Sequence, residues 1–454
     1  MKKNIAISVI TVGLLSSVNV FGAEDLSSMF SEGKTSGQIR EFSISRTMDY
    51  SDAAKDDFTR TANAIGGYLK YETGAYSGLS LGTAFYTTNG FGLGGSKATN
   101  AEVDPTLLGV NNEGYSILGE AYLQYKNSNT TFKGGRQKLD TPLAGSDDAR
   151  MLPNLFEAYL LINTDIKDTT LIAGHVTKFA QGTFGRAYGA GGILGATGGY
   201  SAVDAKNQVG DFVNMGDYAI GKTTDGVSVV SATYTGVKNL KVQVWDYYAH
   251  DILNALYADA DFSWTCLLND SVKPFVGAQI IQESEVGDKH LETVDGLYMG
   301  AKAGLKVENF TATVAYSQTG ENDAKDVTGA GNIGQANAII TPWGGMPAYT
   351  QGMVTRHQFL AGTKASKATL SYNWKKFGSD VTTDAYHASY AMADYNGYTF
   401  DDASENGFDI IYKPALVKSV NLRLRANYAD DFNVAASGAT TGWSEYRFIA
   451  NYNF

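Results

Sequence analysis

The chain has a single cysteine, Cys266, in 454 residues. That excludes a disulfide framework and a thiolate metal cluster. Its five histidines, His175, His250, His290, His357 and His387, stand far apart and leave little material for a zinc enzyme. Past residue 23 there is no apolar run of the roughly 20 residues that a membrane-crossing helix needs. Prolines number only 7. Positive charge is short as well, with 36 lysines and arginines against 47 acidic residues. Nucleic acid needs clustered positive charge, so no nucleic-acid partner is expected.

What the chain does have is glycine and tyrosine. It carries 51 glycines and 28 tyrosines, against an ordinary glycine content of about 7%. The mean hydropathy is −0.19. Small, aromatic and alternating apolar residues, spread evenly, indicate strands throughout. A soluble chain of this length would divide into domains, but β-barrels are the exception.

The first residues read Met1-Lys2-Lys3, then a short apolar run from Ile5 to Leu15, then small residues to Ala23. This is the pattern of an export signal, expected over residues 1–23 with cleavage after Gly22 or Ala23. The run is too short to span a bilayer. Loss of Lys2 and Lys3 leaves 34 of the 36 basic residues against 47 acidic ones, a formal charge of −13. The remaining residues, 24–454, are expected to form one domain.

Period-2 alternation is the main structural signal. In 420–428, Leu422, Leu424, Ala426 and Tyr428 share one face, and Asn421, Arg423, Arg425 and Asn427 the other. In 445–454, Tyr446, Phe448, Ala450, Tyr452 and Phe454 alternate with Glu445, Arg447, Asn451 and Asn453. Segments 62–73, 115–126, 239–248, 295–305 and 309–319 repeat the pattern, at the length a tilted strand needs to cross a bilayer. Short polar turns are expected at 74–78, 126–129, 163–168, 235–239, 267–272, 306–309, 365–367 and 413–418. They alternate with longer loops at 47–61, 89–114, 139–154, 179–225, 249–254, 283–294, 320–355, 377–405 and 430–442. These connections give 18 strands with both termini on the short-turn side. Residues 383–393 also look strand-like, but including them would make the count odd, so they are assigned to the loop 377–405. Strands that are apolar on one face only can enter lipid only as a closed barrel. The expected fold is therefore all-β: a transmembrane antiparallel β-barrel in the outer membrane of a Gram-negative cell. A β-solenoid would show a short fixed repeat, and none is found.

Most chemical motifs fail their context. Gly216 to Thr223 matches a phosphate-binding loop, but the match is followed by the strand-like Val227–Tyr234 rather than a helix. His175 is the least implausible catalytic histidine, yet no histidine–serine arrangement is legible. Asp147 with Asp148, and Asp259 with Asp261, have the hard oxygens that calcium takes, but solvated loop acids are the simpler reading. No metal, cofactor or catalytic residue is expected.

Several stretches resemble the OprD-type family of substrate-selective outer-membrane porins. They are Gly66–Thr73 running on to Leu79–Thr88, then Gly135–Pro142 with Asp147–Ala158, and Val420–Arg425. They occur in matching order over nearly the whole mature chain, and the middle stretch is the most distinctive. No stretch selects the related Campylobacter-type major porins. The resemblance implies an 18-stranded barrel narrowed by its third long loop folding inward, with a ladder of basic side chains along one pore wall. Carried over, the constriction loop is 139–154, with Asp140, Asp147, Asp148 and Arg150. Arg423 and Arg425 match the ladder directly. Lys241, Lys302, Lys306 and Arg447 join it through their alternation; Arg136 lies in a matched motif but in a strand of ambiguous phase. Physical reasoning supports the central pair independently, because a mid-strand charge facing lipid costs a few kcal/mol. Glu72, Glu120, Glu157, Asp259 and Asp261 are expected as an opposing acidic wall, setting a transverse field that favours dipolar solutes.

The function expected is passive, charge-guided diffusion of small water-soluble solutes, with carboxylate-bearing nutrients such as amino acids or organic acids preferred. A barrel-type hydrolase and a surface adhesin using the long loops 179–225, 320–355 and 377–405 are the alternatives. Expected partners are outer-membrane lipid and lipopolysaccharide, the solutes themselves, and the barrel-assembly machinery reading the terminal Phe454. Monomer and homotrimer both remain open.

Overall fold

A computed structural model describes residues 23–52, 54–91, 102–188, 191–203, 209–327, 337–399, 401–434 and 438–454. Residues 1–22 of the export signal expected over 1–23 lie outside these residues. Eighteen long strands follow one another: β1 (Lys34–Tyr50), β2 (Phe58–Glu72), β3 (Leu79–Gly90), β4 (Tyr115–Asn127), β5 (Thr130–Gln137) and β6 (Leu155–Asn163). The series goes on with β7 (Thr169–Ala180), β8 (Val227–Tyr234), β9 (Leu240–Ala249), β10 (Leu253–Ser263), β11 (Val272–Glu285) and β12 (Leu297–Val307). It ends with β13 (Phe310–Thr319), β14 (Lys364–Asn373), β15 (Val381–Ala391), β16 (Ala403–Tyr412), β17 (Val420–Val434) and β18 (Thr440–Asn453). Each pairs antiparallel with its sequence neighbours, and β1 pairs with β18 from Gln38↔Asn453 to Tyr50↔Thr441. The sheet is a closed barrel. A two-residue piece, Val213–Asn214, adds to the end of β7.

Alternation decides which side chains go where. On β17, Leu424 and Tyr428 are exposed on the outer face, while Asn427 is fully buried in the interior. On β18, Tyr446 and Phe448 point out and Glu445 and Arg447 point in. Tyr125, Phe132, Tyr234, Phe262, Tyr412 and Tyr452 are exposed near the strand ends that carry the short turns, forming the aromatic girdle of a bilayer interface. Asp168 and Asn239 take left-handed backbone at two of these turns, with φ of 58° and 64°. Short polar residues tolerate that region best.

The strand count matches expectation, but one stretch is differently divided. The expected turn at 365–367 lies inside β14, and 381–391, expected as loop, is β15. The true turn between them is 374–380, so two opposite errors left the total unchanged. The cause is visible in the outward residues. Lys364, Ser366 and Ala368 on β14, and Thr383, Ala385, His387 and Ser389 on β15, are small or polar, so the apolar half of the alternation is faint. The 249–254 connection is also no long loop, since only 250–252 separate β9 from β10.

The outward assignment makes a direct prediction. Leu424→Arg places a charge in the lipid-facing band and is expected to cost about 2–4 kcal/mol. The measurement is reversible urea unfolding in phospholipid vesicles; an unchanged midpoint would contradict the orientation of β17.

Candidate functional site

Two loops are held on charged and polar side chains of the barrel strands. The connection 138–154 leaves β5 and makes contacts on distant strands. The Leu143 amide donates to the Tyr247 hydroxyl of β9 at 3.4 Å. Arg40 of β1 pairs with Asp148 at 2.6 Å and also donates to the Arg150 carbonyl. Arg150 reaches Glu445 of β18 at 2.7 Å and Thr106 at 3.1 Å. Asp140 stays within its loop, accepting from the Ser146 hydroxyl and amide.

A second loop, 337–363, is held in the same way. Glu405 of β16 accepts the amides of Met353 and Thr355 at 2.7 and 2.6 Å, and the Tyr386 hydroxyl. Glu283 of β11 accepts the Ile340 amide at 2.8 Å. Gln279 of β11 takes the Tyr349 amide and donates to the Pro347 carbonyl. The two loops join where the Gly145 amide donates to the Trp343 carbonyl at 2.9 Å and Arg356 pairs with Asp147 at 2.9 Å. Segment 191–203 adds a third piece, with the Tyr200 hydroxyl on Asp147 and the Gly198 carbonyl accepting from Arg356. The guanidinium of Arg356 lies over the Phe184 ring at 4.7 Å.

Burial works against each of these charges, and paired partners decide the outcome. For Arg356, burial is outweighed by Asp147 and the flanking tyrosines, so its pKa is raised. Asp148 is held below the usual carboxylate range because Arg40 overcomes its burial. Arg150 goes the other way: burial brings it down to about 10, partly offset by Glu445. His357 is lowered to about 4 by burial. Its Nε2–H donates to the Phe432 carbonyl at 2.9 Å, among the rings of Tyr390, Tyr398 and Phe432.

Positive side chains line one interior wall. Arg425 of β17 stands opposite Arg447 of β18. Asp409 of β16 bridges Arg423 and Arg425, the latter at 3.1 Å. Arg447 contacts Glu445 and donates to Asn427 at 2.7 Å. The row continues into β1 and β2 through Arg46, which is in register with both Glu445 and Arg60 and pairs with Asp104 at 2.8 Å. Arg40 and Lys367 also face the interior.

Lys241, Lys302 and Lys306 are elsewhere. They line a cavity of about 760 Å³ beside β9–β12, together with Asp140, Asp259 and Asp261. There Lys302 pairs with Asp261 at 2.6 Å and lies over the Tyr349 ring, and Tyr257 donates to Asp259 at 3.1 Å. The expected single ladder is thus two separate groups. Glu72 and Glu120 stand apart from the aspartates: Tyr122 donates to Glu72, and Glu120 pairs with Lys70 at 3.2 Å.

Two expected residues face the wrong way. Arg136 shares the outward face of β5 with Phe132, and Glu157 that of β6 with Tyr159 and Leu161. They are neighbours in register with Lys178 beside them, on the outer surface. Paired glycines at 134–135 remove the side chains that would have fixed the phase of β5, and Lys133 is the inward residue.

The sequence reading missed Arg40, Arg46, Arg356, Glu283, Glu405 and Asp409. A usable signal existed for the second loop. Ala338-Ile339-Ile340 and Trp343 are too apolar for an exposed loop, and all four are buried. Also unread was the placement of His175 and His250 on either side of Ser228, at 3.1 and 3.0 Å. That trio is on the outward face of the barrel, beside Tyr248. In the phosphate-loop match, the helix Met215–Ile220 begins one residue before the motif and ends within it, rather than starting after it. Asp147 and Asp148, weighed as calcium ligands, are taken by arginines.

The sequence profile described as outer membrane porin, OprD family, matches residues 28–454. Comparison with curated proteins finds no match. Among solved structures, OccK9 (OpdG) of Pseudomonas aeruginosa is similar at 17% identity and a TM-score of 0.73, covering 94% of this chain and 100% of that one. OpdK of the same organism, solved with vanillate, gives 13% identity and 0.71 over 94% and 99%. OccK2 (OpdF), in complex with glucuronate, gives 15% identity and 0.68 over 94% and 99%.

Acid should loosen the second loop. A histidine in an opened loop takes its proton near pH 6.5, while buried His357 does so only near 4. Between those values protons favour the opened form, so the packing weakens as pH falls, by up to about 3 kcal/mol. Limited proteolysis after Arg356 is expected to accelerate from pH 7 to 4.5, and less so in His357→Phe. Equal acceleration in that variant would contradict the assignment.

Proposed function

Because the chain belongs to the OprD family of outer membrane porins, we propose that it gives small water-soluble solutes passive entry, with carboxylate-bearing nutrients such as amino acids and organic acids preferred. The observation that carries this reading is the interior row of Arg423, Arg425 and Arg447, continued by Arg46. Fixed positive charge in a narrow, partly desolvated passage attracts anions and lets them step between neighbouring sites. Asp409 and Glu445 in the same row lower its net charge, which keeps an anion from being held too tightly to leave. OpdK was solved with vanillate and OccK2 with glucuronate, and both ligands carry a carboxylate. In this reading loop 138–154 narrows the passage, and loop 337–363 buttresses it through Asp147–Arg356. The mixed Lys302, Asp259 and Asp261 group on the other side offers a dipolar solute a partner for each end. Transport of this kind needs no covalent step. Phe454, exposed at the short-turn end beside Gly37, is the residue we assign to recognition by the barrel-assembly machinery.

Planar-bilayer recordings in a salt gradient test the charge guidance. Arg423→Ala with Arg425→Ala is expected to lower anion over cation permeability by roughly tenfold, since each charge within about 4 Å is worth about 1 kcal/mol even in water. An unchanged reversal potential would sink the role of this wall. Liposome swelling should show amino acids and organic acids entering faster than size-matched sugars; equal rates would remove the carboxylate preference.

A further inference from the structure

A second, smaller cavity of about 170 Å³ lies across loop 138–154 from the large one. Inward residues of β1–β5 form its walls, and Asp148, Met151, Leu152 and Pro153 roof it. Four cations converge on it, Arg40, Lys70, Lys133 and Lys138, with two anions in the lining, Glu120 and Asp148, and a third, Glu72, 3.5 Å from Lys70. The pairing is uneven. Arg40 is neutralised by Asp148 at 2.6 Å and Lys70 by Glu120 at 3.2 Å, while Glu120 is also fixed by the Tyr86 hydroxyl at 2.8 Å. Neither Lys133 nor Lys138 has a hydrogen-bond acceptor among the described residues. The Lys133 ammonium rests on the Tyr122 ring at 3.9 Å, which stabilises a cation without consuming its donors. Tyr68, also in the wall, adds a hydroxyl that has no protein partner among the described residues.

We infer that this cavity is a binding site for a divalent oxyanion, phosphate or sulfate in class, separate from the arginine wall. Neither Lys133 nor Lys138 makes an ion pair of its own among the described residues, and a dianion can pair with both at once. Their ammonium groups carry three donors each, suited to an ion with acceptors in several directions. A carboxylate has two acceptor oxygens in one plane, whereas a tetrahedral oxyanion presents acceptors to both ammonium groups. The volume of about 170 Å³ admits the oxyanion group with some water. The site lies on β1–β5, whereas Arg423 and Arg425 lie on β17, so occupancy here need not block the wall proposed for carboxylates.

The test is calorimetric titration of the full folded chain in detergent, at neutral pH and low salt, with inorganic phosphate, sulfate and acetate. Phosphate and sulfate are expected to bind at one site per chain, at least about tenfold tighter than acetate. Lys133→Met with Lys138→Met should weaken phosphate binding at least about tenfold, and Lys133→Arg with Lys138→Arg should retain it. Heat-dependent mobility on gels establishes that each variant is folded. Glycerol phosphate competing as well as phosphate would assign the site to the phosphoryl end of a solute, and its exclusion to the free ion. Acetate binding as tightly as phosphate, or the methionine variant binding normally, would overturn the inference. So would a wild-type protein that conducts salt in bilayers yet takes up no phosphate, an outcome that leaves the porin reading intact.

Discussion

No water reaches the middle of this barrel's outer face, and the rest of the structure depends on that. Hydrocarbon offers no partner to a backbone amide or to a charge. Every strand must therefore find two neighbours, and every mid-strand ionic side chain must turn inward. Leu424 and Phe448 look out because Arg423, Arg425, Glu445 and Arg447 cannot. The inner wall becomes rich in charge as a by-product of satisfying the outer one. A channel inherits this polar interior before any substrate is considered, and selectivity comes from how the interior is then arranged.

That arrangement rests on carboxylates used as anchors. Glu405 gathers consecutive amides of loop 337–363, Glu283 takes another, and Asp147 ties the loop to 138–154 through Arg356. A buried carboxylate without such partners would be strongly disfavoured. Each anchor therefore depends on its loop being in place, and each loop depends on its anchor. The position of these loops is consequently as well defined as the wall. Beside these anchors the arginine row is only partly compensated, so its field extends into the open space.

Much of the architecture was legible in the residues. The alternation of 420–428 and 445–454 gave orientation as well as strand identity, because apolar and ionic residues there are cleanly separated. Where outward residues are small or polar, as in Ser366, Ala368, His387 and Ser389, the same rule had no contrast to read. Arg136 and Glu157 show the sharper failure. Glycines 134 and 135 left the phase undetermined, and a charge was assumed to face inward although it lies near the strand end, where lipid headgroups and water can accept it. The loop anchors were not legible at all. Glu405 and Met353 are distant in sequence, and nothing in either segment announces the other. Period-2 patterns report the wall; they say nothing of what fills it.

The seam between β1 and β18 has a consequence for time as well as for shape. Gln38 and Asn453 meet across 415 positions of chain. Until β18 arrives, β1 is an edge with a row of open hydrogen bonds, the kind of surface that recruits strangers. Hairpins such as β4–β5 and β12–β13 can zip locally and early, but none of them closes the ring. Loop 138–154 needs Arg40 from one side of the seam and Glu445 from the other, so it too can reach its final place only once the ring is shut. Folding of this chain should then end in one late, concerted step in which wall and interior become complete together. Until that step the growing sheet must be kept from pairing with itself or with other chains.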